Sequence, residues 1–424
     1  MAKVNGGNGF KETEVGDIPQ EWEVAQLADI CGLRTETVDP NTLSHVRYVG
    51  LEHIESGNPR LAQWGDCGQV KSSKNKFYPG DILYGKLRPY LRKSALAHFE
   101  GISSTDILIL KADTARTMPD WLIHLFHTRG FVEHAISTTG GTNLPRTSWK
   151  AIREYRLALP PLPEQRGIAH VLSTIQRAMA AQEAVIAAAR EVKRSLMRRL
   201  FTYGPYADPL PTRETEIGEV PEHWKIVQLG DLARIGNGST PKRDNPSYWE
   251  NGDIPWLTST KVHESVITHA DEFVTATAKA ECHLPLVSKG SLVVAITGQG
   301  KTLGNAALVT FDTCINQHLA YIEFKDKNVL PEFMLLFLQG RYQHLRQIGQ
   351  SGGSTKGALT CGFLKGYAVP VPPTDEQRQI AVSLGTLGQK LKVEEQRKAA
   401  LQALFKSMLH ELMTGKVRVA QHGL

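Results

Sequence analysis

The segment Thr13-Glu-Val-Gly-Asp-Ile-Pro-Gln-Glu-Trp22 and the segment Thr215-Glu-Ile-Gly-Glu-Val-Pro-Glu-His-Trp224 are one pattern written twice. The first runs on into Val24-Ala-Gln-Leu-Ala-Asp29, the second into Ile226-Val-Gln-Leu-Gly-Asp231. A second pair follows: Pro160-Pro161-Leu-Pro-Glu164-Gln165-Arg166-Gly-Ile168-Ala169 matches Pro372-Pro373-Thr-Asp-Glu376-Gln377-Arg378-Gln-Ile380-Ala381. The second half carries roughly ten more residues between the two motifs. A period this long is not that of a stacked solenoid. It predicts two similar halves in a pseudo-twofold arrangement.

Each Pro-Pro motif starts a helical stretch, as fits proline's preset φ and missing N–H. From Ile168 a 4-3 seam reads Ile168, Leu172, Ile175, Met179, Gln182, Ile186, Ala189, Lys193, Leu196, Leu200. Its counterpart reads Ile380, Leu384, Leu387, Leu391, Glu394, Lys398, Leu401, Phe405, Met408, Leu412. The spacing holds for about five heptads, the periodicity of a coiled coil. Gly204-Pro205 and Thr414-Gly415 end the two stretches, predicting helices of about 37 residues, or about 55 Å. The natural partner of each seam is the other one. An antiparallel pair would set Gln182 against Lys398 and Ile186 against Glu394. Two globular heads held apart by such a rod would form a ruler, able to span more than one DNA turn.

Composition leaves room for this reading. The chain has 424 residues, 41% hydrophobic and 22% charged, which is a globular and not a disordered balance. Its net charge of +6 permits a polyanionic partner without demanding one. No apolar run approaches the roughly 20 residues that span a bilayer, and no secretory leader is visible. The cysteines (Cys31, Cys67, Cys282, Cys314, Cys361) form no C-x-x-C pair, which argues against zinc ribbons and disulfide frameworks and fits a reducing cytoplasm.

The intervening stretches, about 13–158 and 215–370, read as α+β. Strands are expected at Ser44–Gly50, Asp81–Tyr84, Thr105–Leu110, Ser291–Ile296 and Ala320–Phe324. Single amphipathic helices are expected over Pro119–Phe131 and Pro331–Leu345. Lys86-Leu-Arg88-Pro-Tyr90-Leu-Arg92-Lys93 interleaves cations with an aromatic ring after a strand. Cations of this kind meet phosphates or guanine edges, and a tyrosine packs on a sugar or base. Two Gly-rich loops, Thr139-Gly-Gly-Thr-Asn143-Leu-Pro-Arg146 and Ser351-Gly-Gly-Ser354-Thr-Lys356, occupy matching places in the halves. Glycine lets a backbone approach a polyanion closely. The candidate DNA-binding residues are Lys86, Arg88, Tyr90, Arg92, Asn143 and Arg146 in the first half. In the second they are Lys242, Arg243, Lys301, Thr302, Ser354 and Lys356.

Three patterns suggest chemistry and fail on inspection. Ala295-Ile-Thr-Gly-Gln-Gly300-Lys301-Thr302 approximates a phosphate-binding P-loop, but it has Ala295 where glycine belongs, and Leu303-Gly304-Asn305 discourages the required helix. Asn245-Pro-Ser-Tyr248 differs at its third residue from the Asn-Pro-Pro-Tyr of amino-methyltransferases and follows no Gly-x-Gly cofactor loop. Cys282-His283 stands alone, without metal-ligand spacing. No catalytic set and no metal site can be assigned. Two rival readings are a coiled-coil scaffold that binds only proteins and, less favoured, a nucleotide hydrolase using the loop at Lys301.

In combination these motifs resemble the specificity subunit of type I restriction-modification systems. The residues that carry the resemblance are Gly16 to Trp22 and Gly218 to Trp224 (Gly-x-[Ile/Val]-Pro-x-x-Trp), Gly238-Ser-Thr-Pro241, Tyr248-Trp249, Ile254-Pro-Trp256 and the two Pro-Pro-x-x-Glu-Gln-Arg-x-Ile-Ala helix starts. The first half lacks the Gly-Ser-Thr-Pro and Tyr-Trp stretch, so the two halves should read different sequences. The resemblance implies a flexible tail at 1–12, a target recognition domain at 13–158, a central spacer helix at 159–203, a second recognition domain at 204–370 with a linker at 204–214, and a distal spacer helix and tail at 371–424. Each domain would read one half of a bipartite site in double-stranded DNA. The helices, represented by Ile168, Leu172, Ile175, Leu196, Ile380, Leu384, Leu387 and Met408, would set the gap and dock two modification (methyltransferase) subunits. Restriction subunits would add translocation and cleavage for phage defence in the cytoplasm. The chain itself would be non-catalytic, with S-adenosylmethionine, ATP and Mg bound by partner subunits.

Overall fold

The computed structural model describes residues 9–140, 145–298, 301–351 and 358–419. The chain divides into two compact units, residues 1–184 with 396–424 and residues 185–395. Each unit therefore takes part of both long helices.

In the first unit Phe10–Thr13 pairs antiparallel with Gly16–Pro19 through a turn in which Gly16 has a φ of +101°. This hairpin begins inside the stretch expected to be a tail, because the Gly16 turn folds it onto the repeated motif. Glu23–Gln26 pairs antiparallel with Arg156–Leu159, which brings the start of the unit to its end. The central sheet runs in the order Ser94–Leu96, Ile82–Gly85, Ile107–Ala112, Cys31–Arg34. Against it lies a second sheet in which Arg47–Val49 and Gly101–Ser103 run parallel. The Ile82–Gly85 strand is buried throughout because both of its faces are covered. Ile82 and Tyr84 join Trp121, Phe126 and Phe131 in one core, whereas Leu83 joins Val49, Phe77 and Ile109 in another. The alternation is that of a pleated strand.

The second unit repeats the plan. Thr212–Thr215 pairs with Gly218–Pro221, and Lys225–Gln228 pairs with Ala368–Val371. The sheet order is Ala233–Asn237, Leu319–Phe324, Leu292–Ala295, Ala306–Val309, Val266–Ile267. Ile254–Leu257 runs parallel to Cys314–Ile315, the counterpart of the first unit's parallel pair, and Val266–Ile267 runs parallel to Ala306–Val309. Leu292 and Val294 face one core, Val293 and Ala295 the other.

The helix expected over 119–131 is two helices, Pro119–Leu125 and Arg129–Ser137. Thr128 separates them: its hydroxyl accepts from the Phe131 N–H at 3.4 Å, an N-cap that starts a new helix. The stretch from Pro331 likewise divides, at Arg341, into Pro331–Gly340 and Tyr342–Ser351. There the Arg341 guanidinium donates to the Ile217 carbonyl.

The long helices span Leu162–Tyr203, 42 residues, and Thr374–Met413, 40 residues. At about 1.5 Å per residue each is about 60 Å long. They start directly after the prolines and end at Gly204 and Gly415, whose φ values of +79° and +71° are those of helix-stopping glycines. In the first unit Ile168 and Leu172 share a core with Leu409, Leu412 and Met413, and the Glu183 carboxylate lies 2.7 Å from the Lys398 ammonium. In the second, Leu200 shares a core with Ile380 and Leu384, and Arg190 pairs with Glu395 at 2.5 Å. In either unit the early turns of one helix meet the late turns of the other, so the helices pair antiparallel. Gln182 and Ile186 are buried on this seam. Lys193 is half-buried facing Gly388, and burial holds its ammonium below the usual lysine range. Ile168, Leu172, Ile380 and Leu384 are fully buried within the chain and serve its own packing, whereas Ile175, Leu196, Leu387 and Met408 are half-buried. Outward positions of the helices carry Val185, Val192, Val382 and Val393 instead.

Among the described residues no helix is long and apolar enough to cross a membrane, and no group of His, Cys, Asp and Glu is placed to hold a metal.

Candidate nucleic-acid interface

In the first unit three stretches converge. The first is the 86–93 loop of the hairpin between Ile82–Gly85 and Ser94–Leu96. The second is the 104–106 connection from Gly101–Ser103 to Ile107–Ala112. The third is formed by the described ends of the Gly-rich loop, Gly140 and Pro145–Thr147. Backbone hydrogen bonds join them. The Lys86 N–H donates to the Asp106 carbonyl at 2.8 Å, the Arg88 N–H to the Pro145 carbonyl at 2.9 Å, and the Thr147 N–H to the Lys86 carbonyl at 3.0 Å. Lys86, Arg88 and Arg146 are thereby brought together.

Tyr90 and Arg92 complete the same loop. Pro89–Leu91 forms a single tight turn, and the residues on either side of it, Arg88 and Arg92, have φ values of +50° and +51°. Left-handed backbone is costly for a branched-chain or long L-residue and persists only where its surroundings enforce it. Here the enforcement is visible: the Leu91 and Arg92 N–H groups donate within the turn, and the Gly57 N–H donates to the Arg92 carbonyl at 3.1 Å. The result is that Arg88, Tyr90 and Arg92 all stand exposed from one rigid turn. Lys93, by contrast, is spent on the fold, its ammonium donating to the Leu51 carbonyl at 2.6 Å.

The second unit builds the same convergence. The Ile296 N–H donates to the His318 carbonyl at 2.9 Å, and the Leu359 N–H to the Ile296 carbonyl at 2.7 Å. Thr297 bridges to Ala358 as Leu87 bridges to Arg146. The loop carrying Lys301 and Thr302 joins Leu292–Ala295 to the antiparallel Ala306–Val309. A hairpin has no following helix and hence no helix N-terminus for a phosphate, so the P-loop likeness is one of letters only. Lys301 is exposed, with its carbonyl held by Tyr342 Oη at 3.0 Å and Asn305 Nδ2 at 2.6 Å. The Thr302 hydroxyl meets His263 Nε2 at 3.1 Å.

Lys242 and Arg243 follow Gly238-Ser-Thr-Pro241, whose glycine is required by space: a Cβ at Gly238 would sit 1.7 Å from the Ile315 carbonyl oxygen. The Arg243 guanidinium lies over the Trp249 ring at 4.1 Å and the Trp256 ring at 4.9 Å, and also pairs with Glu272. Three partners therefore orient it while its side chain stays 54% exposed, and Lys242 beside it is exposed as well. Asn245 Oδ1 caps the short Pro246–Trp249 helix by accepting from the Ser247 N–H at 3.1 Å, which is the role of the Asn-Pro-Ser-Tyr stretch. Asn143, Ser354 and Lys356 lie outside the described residues.

Sequence reasoning passed over Asp106, Gln317 and His318. Asp106 lies 3.3 Å from the Arg146 guanidinium. The Thr240 hydroxyl donates to the Gln317 amide oxygen, and Thr297 hydrogen-bonds His318 Nδ1. The one signal available was a short polar stretch between two strands in each half.

A family model described as type I restriction modification DNA specificity domain matches residues 19–188 and 221–403. The chain is 23% identical to the type I restriction enzyme MjaVIII specificity subunit of Methanocaldococcus jannaschii, over 97% of this chain and 96% of that one. It is 33% identical to the EcoDI specificity subunit of Escherichia coli over 39% of this chain and 37% of that one. The fold is similar to that of a type I restriction-modification S subunit from M. genitalium, with a TM-score of 0.60 at 15% identity over 92% of this chain and 96% of that one.

Proposed function

The chain belongs to the type I restriction modification DNA specificity family, a non-catalytic class that supplies DNA sequence specificity, and from this premise we propose that each unit reads one half of a bipartite site. The observation that carries the reading is the convergence of the same three stretches in both units, with exposed cations on the hairpin loop of each: Arg88 and Arg92 in the first, Lys301 in the second. Lys86, Arg88 and Arg92 in one unit, and Lys242 and Lys301 in the other, contact phosphates and hold register, and Arg146 faces the DNA beside them. Tyr90 and Thr302 pack on sugar or base, and Arg243, oriented by its rings and Glu272, meets the DNA beside Lys242. The long helices set the gap and dock two modification subunits through their outward faces. Restriction subunits complete the assembly. Adenine methylation inside a duplex requires the base to be flipped out, which falls to the partners' pockets. S-adenosylmethionine, ATP and Mg belong to those partners as well.

The test is methylation mapping in a host carrying this chain with its modification subunits. A bipartite site is expected. Deleting one heptad from the middle of each long helix should change the gap, or abolish modification, while any site still modified keeps its half-sites. New half-sites with an old gap would overturn the reading.

A further inference from the structure

In each unit the connection beside the cationic hairpin is built on one turn but carries different chemistry. In the first, the Ser104 hydroxyl accepts from the Asp106 N–H at 3.2 Å. In the second, the amide oxygen of buried Asn316 accepts from the His318 N–H at 3.0 Å. Both turns lock the connection two residues on and hold the following residues at the surface. The first turn presents a carboxylate, Asp106, 3.3 Å from the half-exposed Arg146 guanidinium. The second presents an exposed amide, Gln317, beside Thr240, and an exposed imidazole, His318.

These are groups that can tell bases apart. An arginine donates in pairs to guanine O6 and N7, a carboxylate accepts from cytosine N4, and an amide pairs with adenine N6 and N7. The hairpin cations beside them are suited to phosphates, which carry no sequence. Asp106 does more than accept: placed against Arg146, it orients the guanidinium before DNA arrives.

We infer that this connection is where base identity is read: Asp106 with Arg146 takes a G·C pair in the half-site of the first unit, and Gln317 takes an A·T pair in the half-site of the second. The inference rests on the proposed function and divides its labour further.

The experiment uses the full chain with its modification subunits on a randomised DNA library, with methylation as the readout. Asp106→Asn, a change of nearly equal shape, should lower selectivity at one G·C position of one half-site by about tenfold and leave the other half-site as it was. Gln317→Glu should do the same at one A·T position of the other half-site. The untouched half-site reports that each variant is folded. Unchanged half-sites in both variants would overturn the inference, as would equal loss at every position or an effect in both halves. The wild-type map separates the two levels. If it shows no bipartite site, the functional reading itself fails. If it shows one that both variants leave intact, only the assignment of Asp106 and Gln317 fails.

Discussion

Glu164 in the first unit and Glu376 in the second both accept the indole N–H of the tryptophan that closes the repeated motif, Trp22 at 2.7 Å and Trp224 at 2.9 Å. Their other partners differ. Glu164 takes a forked ion pair from Arg418, at 2.6 and 3.0 Å, and Arg418 also reaches Glu21 at 3.1 Å. Glu376 instead takes His223 Nε2 at 2.7 Å and the Tyr206 hydroxyl at 3.5 Å. In both units one of these partners comes from the chain just beyond a long helix. A buried carboxylate must be compensated, but more than one donor will do. The repeat therefore preserves what is buried and lets the donors at its edge vary.

This contrast can be broken directly. Glu164→Ala leaves Arg418 without its forked partner and Trp22 without an acceptor; Glu164 is buried but Arg418 is 39% exposed, so the loss is about 2–4 kcal/mol, from two charge-assisted bonds and an unsatisfied buried indole. Glu376→Ala removes hydrogen bonds to a half-exposed histidine and an indole, about 1–3 kcal/mol. Thermal or denaturant unfolding of the two variants should rank them in that order; equal losses would show that the second partner is immaterial. Gly238→Ala tests a feature of the second unit that has no counterpart motif in the first. A Cβ there meets backbone, so a loss of about 2–4 kcal/mol and a displaced 316–318 connection are expected. Unchanged stability with unchanged selectivity would count against it.

Acid should separate the units further. His124 and His127 are buried in the first unit, and burial pushes them down to about 3 and about 4 from the ordinary 6.5. The unfolded chain takes up these protons and the folded unit does not, so the stability present above pH 6.5 is lost as pH falls. At pH 5 the loss is about 2 kcal/mol for each histidine. The matching positions of the second unit hold Leu336 and Gln339, which do not titrate. Hydrogen exchange at pH 7.5 and 5.5 should show protection falling in the first unit alone, and His124→Leu with His127→Gln should remove the difference. The smallest effect belongs to the strained turn. Arg92→Gly relieves a left-handed backbone and should raise stability by about 1 kcal/mol, while DNA binding weakens and its salt dependence falls by about one phosphate contact. A variant that is more stable and binds as before would take Arg92 out of the interface.

Much of this was legible beforehand. The repeated motif, the prolines and glycines bounding the long helices, and the seam from Ile168 to Leu200 are local patterns, and local patterns survive as written. The breaks at Thr128 and Arg341 were not legible, because an amphipathic stretch reads the same whether one helix or two supply it. That Trp249, Trp256 and Glu272 gather around Arg243 was not legible either, because they lie apart from it in the chain. Asp106 and Gln317 were invisible as readers, since each is one polar residue beside a buried strand and gains meaning only from the hairpin packed against it.

The sequence by itself determined that the chain is a duplicated α+β protein with two long helices, because periodicity and helix stops are written in neighbouring residues. Only the tertiary structure decided which loops meet, since the Lys86–Asp106 and Ile296–His318 backbone bonds join residues far apart in the chain. It also decided that Ile168, Leu172, Ile380 and Leu384 are fully buried while other seam residues stay half-exposed: burial depends on what packs from outside the segment, which no local pattern encodes.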